Sequence, residues 1–179
     1  QFLLLDTNGN IKIASNAKWQ GITLGASILE QTKLNHSIAL YGLSPIYEKE
    51  FILITVQQYT TERGSILGSI VGITEKTNLQ KLTQPLNGLS PLATTYFVLT
   101  DQQFVYSKPG TGEFTLVELT SKDKINSMFS ELMTQETPQP ETLDITTQDG
   151  EAALAQLQWF PGIQTGVVLE VKTSTIYGQ

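Results

Sequence analysis

The stretch "FLLLDTNGNIKIAS", residues 2–15, decides how this chain begins to fold. An apolar run, FLLL, stands before its centre, and an alternating run, IKIA, follows, as in two neighbouring β-strands. The dipeptide Asn8-Gly9 between them is a strong hairpin signal, and it predicts a type I′ turn in which both of these residues take positive φ.

The same stretch has a second interpretation as a calcium loop. Asp6, Asn8 and Asn10 alternate like the first ligands of an EF-hand. Such a loop also needs glycine at its sixth position and glutamate at its twelfth, which here hold Ile11 and Ala17. The missing ligands favour the hairpin, and we predict no metal site.

Composition narrows the function classes. The chain has 179 residues, of which 40% are hydrophobic, so it can form a packed core. Eleven basic and 17 acidic residues give a net charge of -6, which argues against a nucleic-acid partner. The absence of cysteine excludes disulfides, thiolate nucleophiles and zinc ribbons. The longest apolar runs are far shorter than the ~20 residues that span a bilayer.

The order of motifs in the first half recurs in the second half. "TYFVLTDQQFVYS", residues 95–107, repeats the opening hairpin. The apolar segments of residues 51–74 are matched by those of residues 153–174, with Tyr59 opposite Phe160 and Gly68 opposite Gly166. The repeat predicts a pair of strands at the start and at the end of each half.

Helices and loops are predicted between these strand pairs. Residues 75–86 are typical of a short helix that ends near Pro85. Residues 125–133 have apolar side chains on one helical face, whereas residues 134–142 are polar and favour a loop. We therefore predict an α+β chain of two modules, residues 1–88 and 89–179, each an antiparallel sheet covered by helices and loops, with a cleft where a small molecule could bind.

The chain resembles the double Cache sensory domains of bacterial membrane receptors. The resemblance is carried by "FLLLDTNGNIKIAS", "LSPIYEKEFILITVQQYTTERGSILGSIVGITEKTNLQKL" and "QWFPGIQTGVVLEV". Ser44-Pro45, residues 60–64 and Gly68 occupy the places that the family gives to its Ser-Pro pair, turn and glycine-containing strand. The resemblance covers nearly the whole chain.

This resemblance implies two tandem PAS-like modules that form an extracytoplasmic sensor between two transmembrane helices. The sensor itself would be non-catalytic, and the receptor's output would be a histidine kinase, a chemoreceptor tail or a cyclase. Family members that bind amino acids use an arginine near a Trp-Tyr pair, together with an aspartate. The single arginine here, Arg63, falls in a turn, and no Trp-Tyr pair occurs, so that motif is not assigned.

Aromatic side chains of the first module are the remaining ligand-binding candidates, because they combine a stacking surface with a polar tip. They are Trp19, His36, Tyr41, Tyr47 and Tyr59. Packing in the module core is the competing interpretation of each. His36 is the only histidine, so no histidine-based metal cluster exists.

Three functions remain open from the sequence. The first is a small-molecule sensor, and the second is a periplasmic interaction or dimerisation module without a small-molecule ligand. The third is a cytoplasmic PAS or GAF tandem that holds a cofactor, although the missing cysteine and lone histidine disfavour bilin or haem, and we predict no cofactor. Hydrolase, phosphate-loop and zinc-protease motifs do not occur, and no enzyme is predicted.

Overall fold

The computed structural model describes residues 1–25, 30, 37–43, 45–74, 93–108 and 113–177. These residues form mostly antiparallel sheet with few helices, and the chain divides into two compact units, Gln1–Leu79 and Gln80–Gln179. Among the described residues, no helix has the length and apolar character needed to cross a membrane.

The first unit contains five described strands and a short 3₁₀ helix. Their bounds are β1 Phe2–Asp6, β2 Ile11–Ala14, β3 Ser37–Leu43, β4 Tyr47–Thr60 and β5 Ile66–Thr74, and the 3₁₀ helix is Ala17–Trp19. The strands stand in the spatial order β2-β1-β5-β4-β3, and every pair is antiparallel.

One face of this sheet carries the core of the first unit. Alternate residues along each strand point to it, so Leu3 and Leu5 of β1 lie beside Val71 of β5. The segment after β2 covers part of this face, and Leu24 is buried in the same cluster. The N–H of Leu24 donates to the carbonyl of Gly9 at 3.0 Å, which ties the covering segment to the first hairpin.

The second unit contains six described strands and two described helices. Their bounds are β6 Ala93–Val98, β7 Phe104–Lys108, β8 Glu113–Val117, α1 Lys122–Leu132, β9 Glu141–Thr146, β10 Ala152–Phe160, β11 Thr165–Lys172 and α2 Thr173–Tyr177. The strands stand in the order β8-β7-β6-β11-β10-β9, again with antiparallel pairs.

Helix α1 closes the core of the second unit. Ile125, Phe129 and Leu132 of α1 are buried at the spacing of one helical face. The Phe129 ring meets the Trp159 ring of β10 with 6.3 Å between centroids. The helix predicted over residues 125–133 is therefore confirmed, and it begins three residues earlier than predicted.

Four hairpin turns share one hydrogen-bond pattern. In each five-residue turn, the N–H of the first residue donates to the carbonyl of the fifth residue. The N–H of the fourth residue donates to the carbonyl of the first, and all these distances are 2.8–3.0 Å. This is the pattern of a three-residue loop that ends in a left-handed residue. The turns are Asp6–Asn10, Thr61–Ser65, Leu99–Gln103 and Thr147–Glu151, and their left-handed residues are Gly9, Gly64, Gln102 and Gly150.

The opening hairpin is therefore confirmed, but its predicted type I′ turn is wrong. Gly9 has φ 80, whereas Asn8 is not among the described residues with positive φ. The carboxylate of Asp6 accounts for the difference, because it accepts the N–H groups of Asn8 and Asn10, both at 2.9 Å. These bonds favour an Asx-type loop at this position.

Three further details differ from the sequence predictions. Strand β3 was not predicted, and β9 begins inside the predicted loop 134–142. The aromatic residue that pairs with Gly166 is Trp159, as Tyr59 pairs with Gly68, so matching Tyr59 to Phe160 was wrong by one residue. The predicted helix 75–86 and the boundary at residue 88 lie outside the described residues.

Candidate functional site

Two of the predicted ligand-binding aromatics lie together in the first unit. Trp19 ends the 3₁₀ helix and Tyr47 begins β4; their ring centroids are 5.3 Å apart in an edge-on arrangement. Both rings are half-buried and pack against the core cluster. The hydroxyl of Tyr47 donates to Oε1 of Gln1 at 3.1 Å. The pair therefore joins the covering segment to the sheet.

The position of Trp19 follows from the local sequence. Asn16 caps the 3₁₀ helix, because its side-chain oxygen accepts the N–H of Lys18 at 3.1 Å. The N–H of Trp19 donates to the carbonyl of Asn16, and that of Ile22 donates to the carbonyl of Trp19. This short turn directs the indole toward the core side of the sheet.

Two other candidates lie on the opposite face of the same sheet. Tyr41 pairs with Phe51, and Tyr59 pairs with Gly68, on the alternate positions that point away from the core cluster. The structure thus separates these tyrosines from Trp19, whereas His36 lies outside the described residues. Ligand binding by any of the five stays a prediction.

Tyr59 has a packing role that the sequence did not indicate. Its hydroxyl donates to the carbonyl of Leu5 at 3.4 Å. A Cβ added at Gly68 would lie 2.6 Å from the Tyr59 hydroxyl oxygen and 2.0 Å from the Leu5 carbonyl oxygen. The ring therefore covers a place on the sheet surface that only glycine leaves free.

The carboxylate of Asp6, at the start of the first turn, accepts hydrogen bonds from groups of the protein itself. Besides two backbone N–H groups, the Asp6 carboxylate accepts Nδ2 of Asn10 at 2.8 Å and pairs with Nζ of Lys12 at 3.0 Å. The bond from the Asn10 side chain is the largest cause that holds the pKa of Asp6 far below its ordinary value. Asn10 in turn accepts the Thr23 hydroxyl at 2.6 Å. These groups stabilise the turn and leave no arrangement typical of a calcium site.

The single arginine is exposed. Arg63 stands in the turn Thr61–Ser65. This position confirms the turn predicted for it. Within the described ranges, no group of three or more histidine, cysteine, aspartate or glutamate side chains could hold a metal ion.

A cavity in the second unit was not predicted from the sequence. Its volume is about 520 Å³, and it lies between the turn Leu99–Gln103, strand β8 and the start of α1. Within the described part of the chain, Oδ1 of Asn126 is the side-chain oxygen or nitrogen that is buried without a hydrogen-bond partner. The sequence feature that could have drawn attention to this region is Gln102, which stands in the repeated hairpin where the first hairpin has Gly9. The lining residues are Asp101, Gln102, Gln103, Phe104, Leu116, Val117, Glu118, Lys122, Asp123 and Asn126.

Charged groups also cluster at the end of β11. Lys172 pairs with Asp149 and Glu151, at 2.5 Å and 3.2 Å. The hydrogen bond from Lys172, followed by one from the Thr147 hydroxyl, lowers the pKa of Asp149 to about 2. Burial, and then the charge of Asp149, raises the pKa of Glu170 on the core face of the same strand.

No protein-family profile and no curated protein matches the chain. Solved structures do match it. The extracellular domain of the proposed histidine kinase rpHK1S-Z16 aligns with 100% of this chain and 73% of its own, at 12% identity and a TM-score of 0.68. The chain has the fold of Cache-type sensor domains.

Two further structures support this assignment. The ligand-binding domain of the Pseudomonas aeruginosa amino acid chemoreceptor PctB, in complex with L-arginine, covers 99% of this chain and 67% of its own, at 11% identity and a TM-score of 0.58. The sensor domain of the V. cholerae histidine kinase DctB covers 96% and 71%, at 11% identity and a TM-score of 0.57. The resemblance to Cache-type sensors is therefore confirmed at the level of the fold.

Proposed function

We propose that this chain is the extracytoplasmic ligand-sensing region of a membrane-bound signalling receptor. Its two units would be two PAS-like modules, residues 1–88 and 89–179, with a small molecule bound in the first. The observation that carries the proposal is the alignment of the whole chain with the extracellular domain of a histidine kinase at a TM-score of 0.68. The catalytic or signalling output would lie in parts of the receptor beyond this chain, and transmembrane helices would flank it.

The ligand site of the proposal is the place where Trp19 meets Tyr47. One ring belongs to the covering segment and the other to the sheet, so a molecule bound beside them would contact both. Binding would tighten the covering segment against the sheet. A ligand can shift the receptor's signalling state only through a difference in its affinity for the two states.

The class of ligand is left to experiment. PctB and the Pseudomonas fluorescens receptor CtaA are described in complex with amino acids. In this chain, however, the only arginine is exposed in a turn, so it does not supply the carboxylate clamp that amino acid sensors of the family use. Amino acids are therefore one class to test among several.

A thermal-shift screen of amino acids, organic acids, amines and purines tests the proposal. A ligand at 100 times its Kd adds about 2.7 kcal/mol to the free energy of unfolding, which is a readily measured shift. Trp19→Leu and Tyr47→Phe should weaken the binding of any compound found. The matched control is Tyr41→Phe, which also removes a tyrosine hydroxyl, but from the opposite face of the sheet. A hit that loses as much affinity with Tyr41→Phe as with Tyr47→Phe would contradict the site.

The alternative function is a protein-interaction module that forms a homodimer. One observation favours it: Phe2, Ile13 and Ile70 are 49%, 51% and 45% exposed, and they lie on three adjacent strands of the first unit. Exposed apolar side chains on neighbouring strands can form a patch that binds another protein. Sedimentation velocity of the parent and of Ile70→Gln tests this function, with Leu116→Gln of the second unit as control. A monomer at all concentrations would exclude it.

A further inference from the structure

We propose that Glu170 of β11 is a proton-binding group, and that its protonation strengthens the attachment of helix α2 to the rest of the second unit. The second unit would thus respond to acid, an input separate from the small molecule of the first module. The observations that carry this are a buried carboxylate without a hydrogen bond, three carboxylates that share one ammonium group, and the place of this cluster beside α2.

The carboxylate of Glu170 is buried on the core face of its strand. The residue is 7% exposed, and it lies on the same side of β11 as Val168 of the core cluster. Its cross-strand neighbours are Thr94 on β6 and Ala155 on β10. Among the described residues, no group donates a hydrogen bond to this carboxylate. Removing an ion from water without such bonds is costly, and a carboxylate avoids the cost by binding a proton.

Protons can nevertheless reach Glu170 from solvent. Among the described side chains, Oδ1 of Asn126 is the polar atom that is both wholly buried and without a hydrogen-bond partner. The unbonded carboxylate oxygens of Glu170 are therefore not wholly enclosed. The site thus combines surroundings that favour the neutral acid with the access to water that titration requires.

The titratable groups that act on Glu170 come from three elements. Asp149 lies in the turn between β9 and β10, Lys172 in β11 itself, and Tyr96 in β6. Burial, and then the charge of Glu170, raises the pKa of the Tyr96 hydroxyl, so this group stays neutral. The ring of Tyr106 from β7 stands beside that of Tyr96, with 5.8 Å between centroids. Helix α1 and β10 present apolar side chains to the same core: Ile125, Phe129, Leu132, Ala153 and Ala155.

One ammonium group serves three carboxylates. Nζ of Lys172 lies 2.5 Å from Oδ2 of Asp149 and 3.2 Å from Oε2 of Glu151. Glu170, two residues before Lys172, lies on the same side of the strand. Its negative charge attracts Lys172 and repels Asp149. Ionised Glu170 therefore competes with the turn for Lys172. A proton on Glu170 removes this competition, and Lys172 is then held by the turn alone.

The same cluster holds the start of α2. Oε2 of Glu151, the oxygen that pairs with Lys172, also accepts the hydroxyl of Ser174 at 3.5 Å, a long hydrogen bond. The turn Thr147–Glu151 is thus connected to β11 through Lys172 and to α2 through Ser174. When Lys172 is held by the turn alone, this oxygen is fixed in place and can receive Ser174 at a shorter distance. We therefore expect α2 to be held more firmly when Glu170 is protonated than when it is ionised.

A pH titration of the full chain by NMR tests the proton site. Two sets of signals are followed from acid to neutral pH: the side-chain carboxyl carbon of Glu170, and the backbone amides of Ser174 and Ile176. The Glu170 carbon should titrate with a midpoint above the ordinary value of 4.5, and the α2 amides should show a transition at the same midpoint. A carbon midpoint at or below 4.5, or α2 amides that do not follow it, would overturn the proposal.

The variant Glu170→Gln tests whether this carboxylate is the cause, because it keeps the size of the side chain and imitates the protonated form. It should abolish the α2 transition, and at neutral pH it should raise the ¹H–¹⁵N nuclear Overhauser effect of the Ser174 and Ile176 amides, which reports their order. Glu136→Gln, at an exposed position of the same unit, is the control and should leave both unchanged. A transition that persists in Glu170→Gln would belong to another carboxylate, and less ordered α2 amides would reverse the sign; either result would overturn the coupling.

Reciprocity gives an independent test. If a proton on Glu170 strengthens the attachment of α2, the attachment must in turn strengthen the binding of the proton. The hydroxyl of Thr173 donates to the carbonyl of Ala152 at 2.8 Å, and Thr173→Val removes this bond while it keeps the shape of the side chain. The Glu170 carbon of this variant should titrate at a lower pH than that of the parent, and an unchanged or higher midpoint would overturn the coupling. All these signals come from the second unit, so the outcome is independent of the ligand screen for the first module.

Discussion

Gly166 of β11 lies directly under the ring of Phe129 from α1. A Cβ added at Gly166 would come within 2.4 Å of Cε1 and 2.6 Å of Cζ of that ring. Trp159, the cross-strand partner of Gly166, meets the same ring from the side. The glycine thus provides the space that lets the helix approach the sheet, and it explains why an aromatic residue pairs with glycine here.

Gly166→Ala should lower the free energy of unfolding by about 2–3 kcal/mol, because the new methyl group would displace a fully packed ring. Gly162→Ala is the matched control, since a Cβ there meets no atom within 4 Å. Urea denaturation of both variants measures the difference. Equal midpoints for the two would show that Phe129 does not fill the space above Gly166.

The turn Leu99–Gln103 has Gln102 in the left-handed position that glycine occupies in the other three turns, and this difference should affect stability. Gln102→Gly should add about 0.5–1 kcal/mol to the free energy of unfolding, because glycine adopts positive φ without a steric cost. Gly64→Gln, the reverse change in the equivalent turn of the first unit, should cost about 1 kcal/mol. Thermal unfolding with both variants measures the pair of shifts. Shifts of the same sign would contradict the equivalence of the turns.

The ionised side chain of Glu170 should destabilise the second unit at neutral pH, and this contribution should disappear in acid. Burial raises its pKa above the ordinary 4.5, so the unfolded chain loses this proton at a lower pH than the folded chain does. The penalty of the buried charge is therefore absent below the ordinary value and complete above the raised one. Glu170→Gln should raise Tm at pH 7 and have no such effect near pH 4. Glu136→Gln, at an exposed site, is the control, and a pH-independent gain would contradict the mechanism.

Asp149 should show the opposite dependence. Its pKa is lowered to about 2, chiefly by the hydrogen bond from Lys172, so the ionised group stabilises the fold above the ordinary value of 3.8. That stabilisation is lost as the pH falls through about 2. Asp149→Asn should lower Tm at pH 7, and the difference from the parent should shrink as the pH approaches 2. Unfolding curves at four pH values between 2 and 7 would measure it, and a constant difference would contradict the pairing.

Local patterns predicted much of the fold. The opening hairpin and the strand that ends at residue 60 are visible because their apolar residues alternate or run together. Helix α1 is visible because Ile125 and Phe129 lie one helical turn apart on its buried face. In such elements the signal lies within one segment, and no distant contact is needed to interpret it.

Elements without that signal were missed. Edge strand β9 has Ile145 as its only buried residue, so its pattern is too weak to separate it from the loop before it. Tyr41 and Tyr47 point to different sides because the pairing register shifts between Tyr41 and Leu43, which no alternation rule predicts. The cavity at Asn126 depends on a turn and a helix that meet only in the folded chain. Sequence therefore indicated which aromatic residues to examine and could not indicate which of them share a face.

Strand β11 is an interior strand of its sheet, and α2 follows it without an intervening residue. The hydroxyl of Thr173 donates to the carbonyl of Ala152 at 2.8 Å, so the start of α2 is fastened to the neighbouring strand as well. The start of α2 is therefore joined both to β11 and to β10. A displacement of β11 along its own axis would move the start of this helix with it.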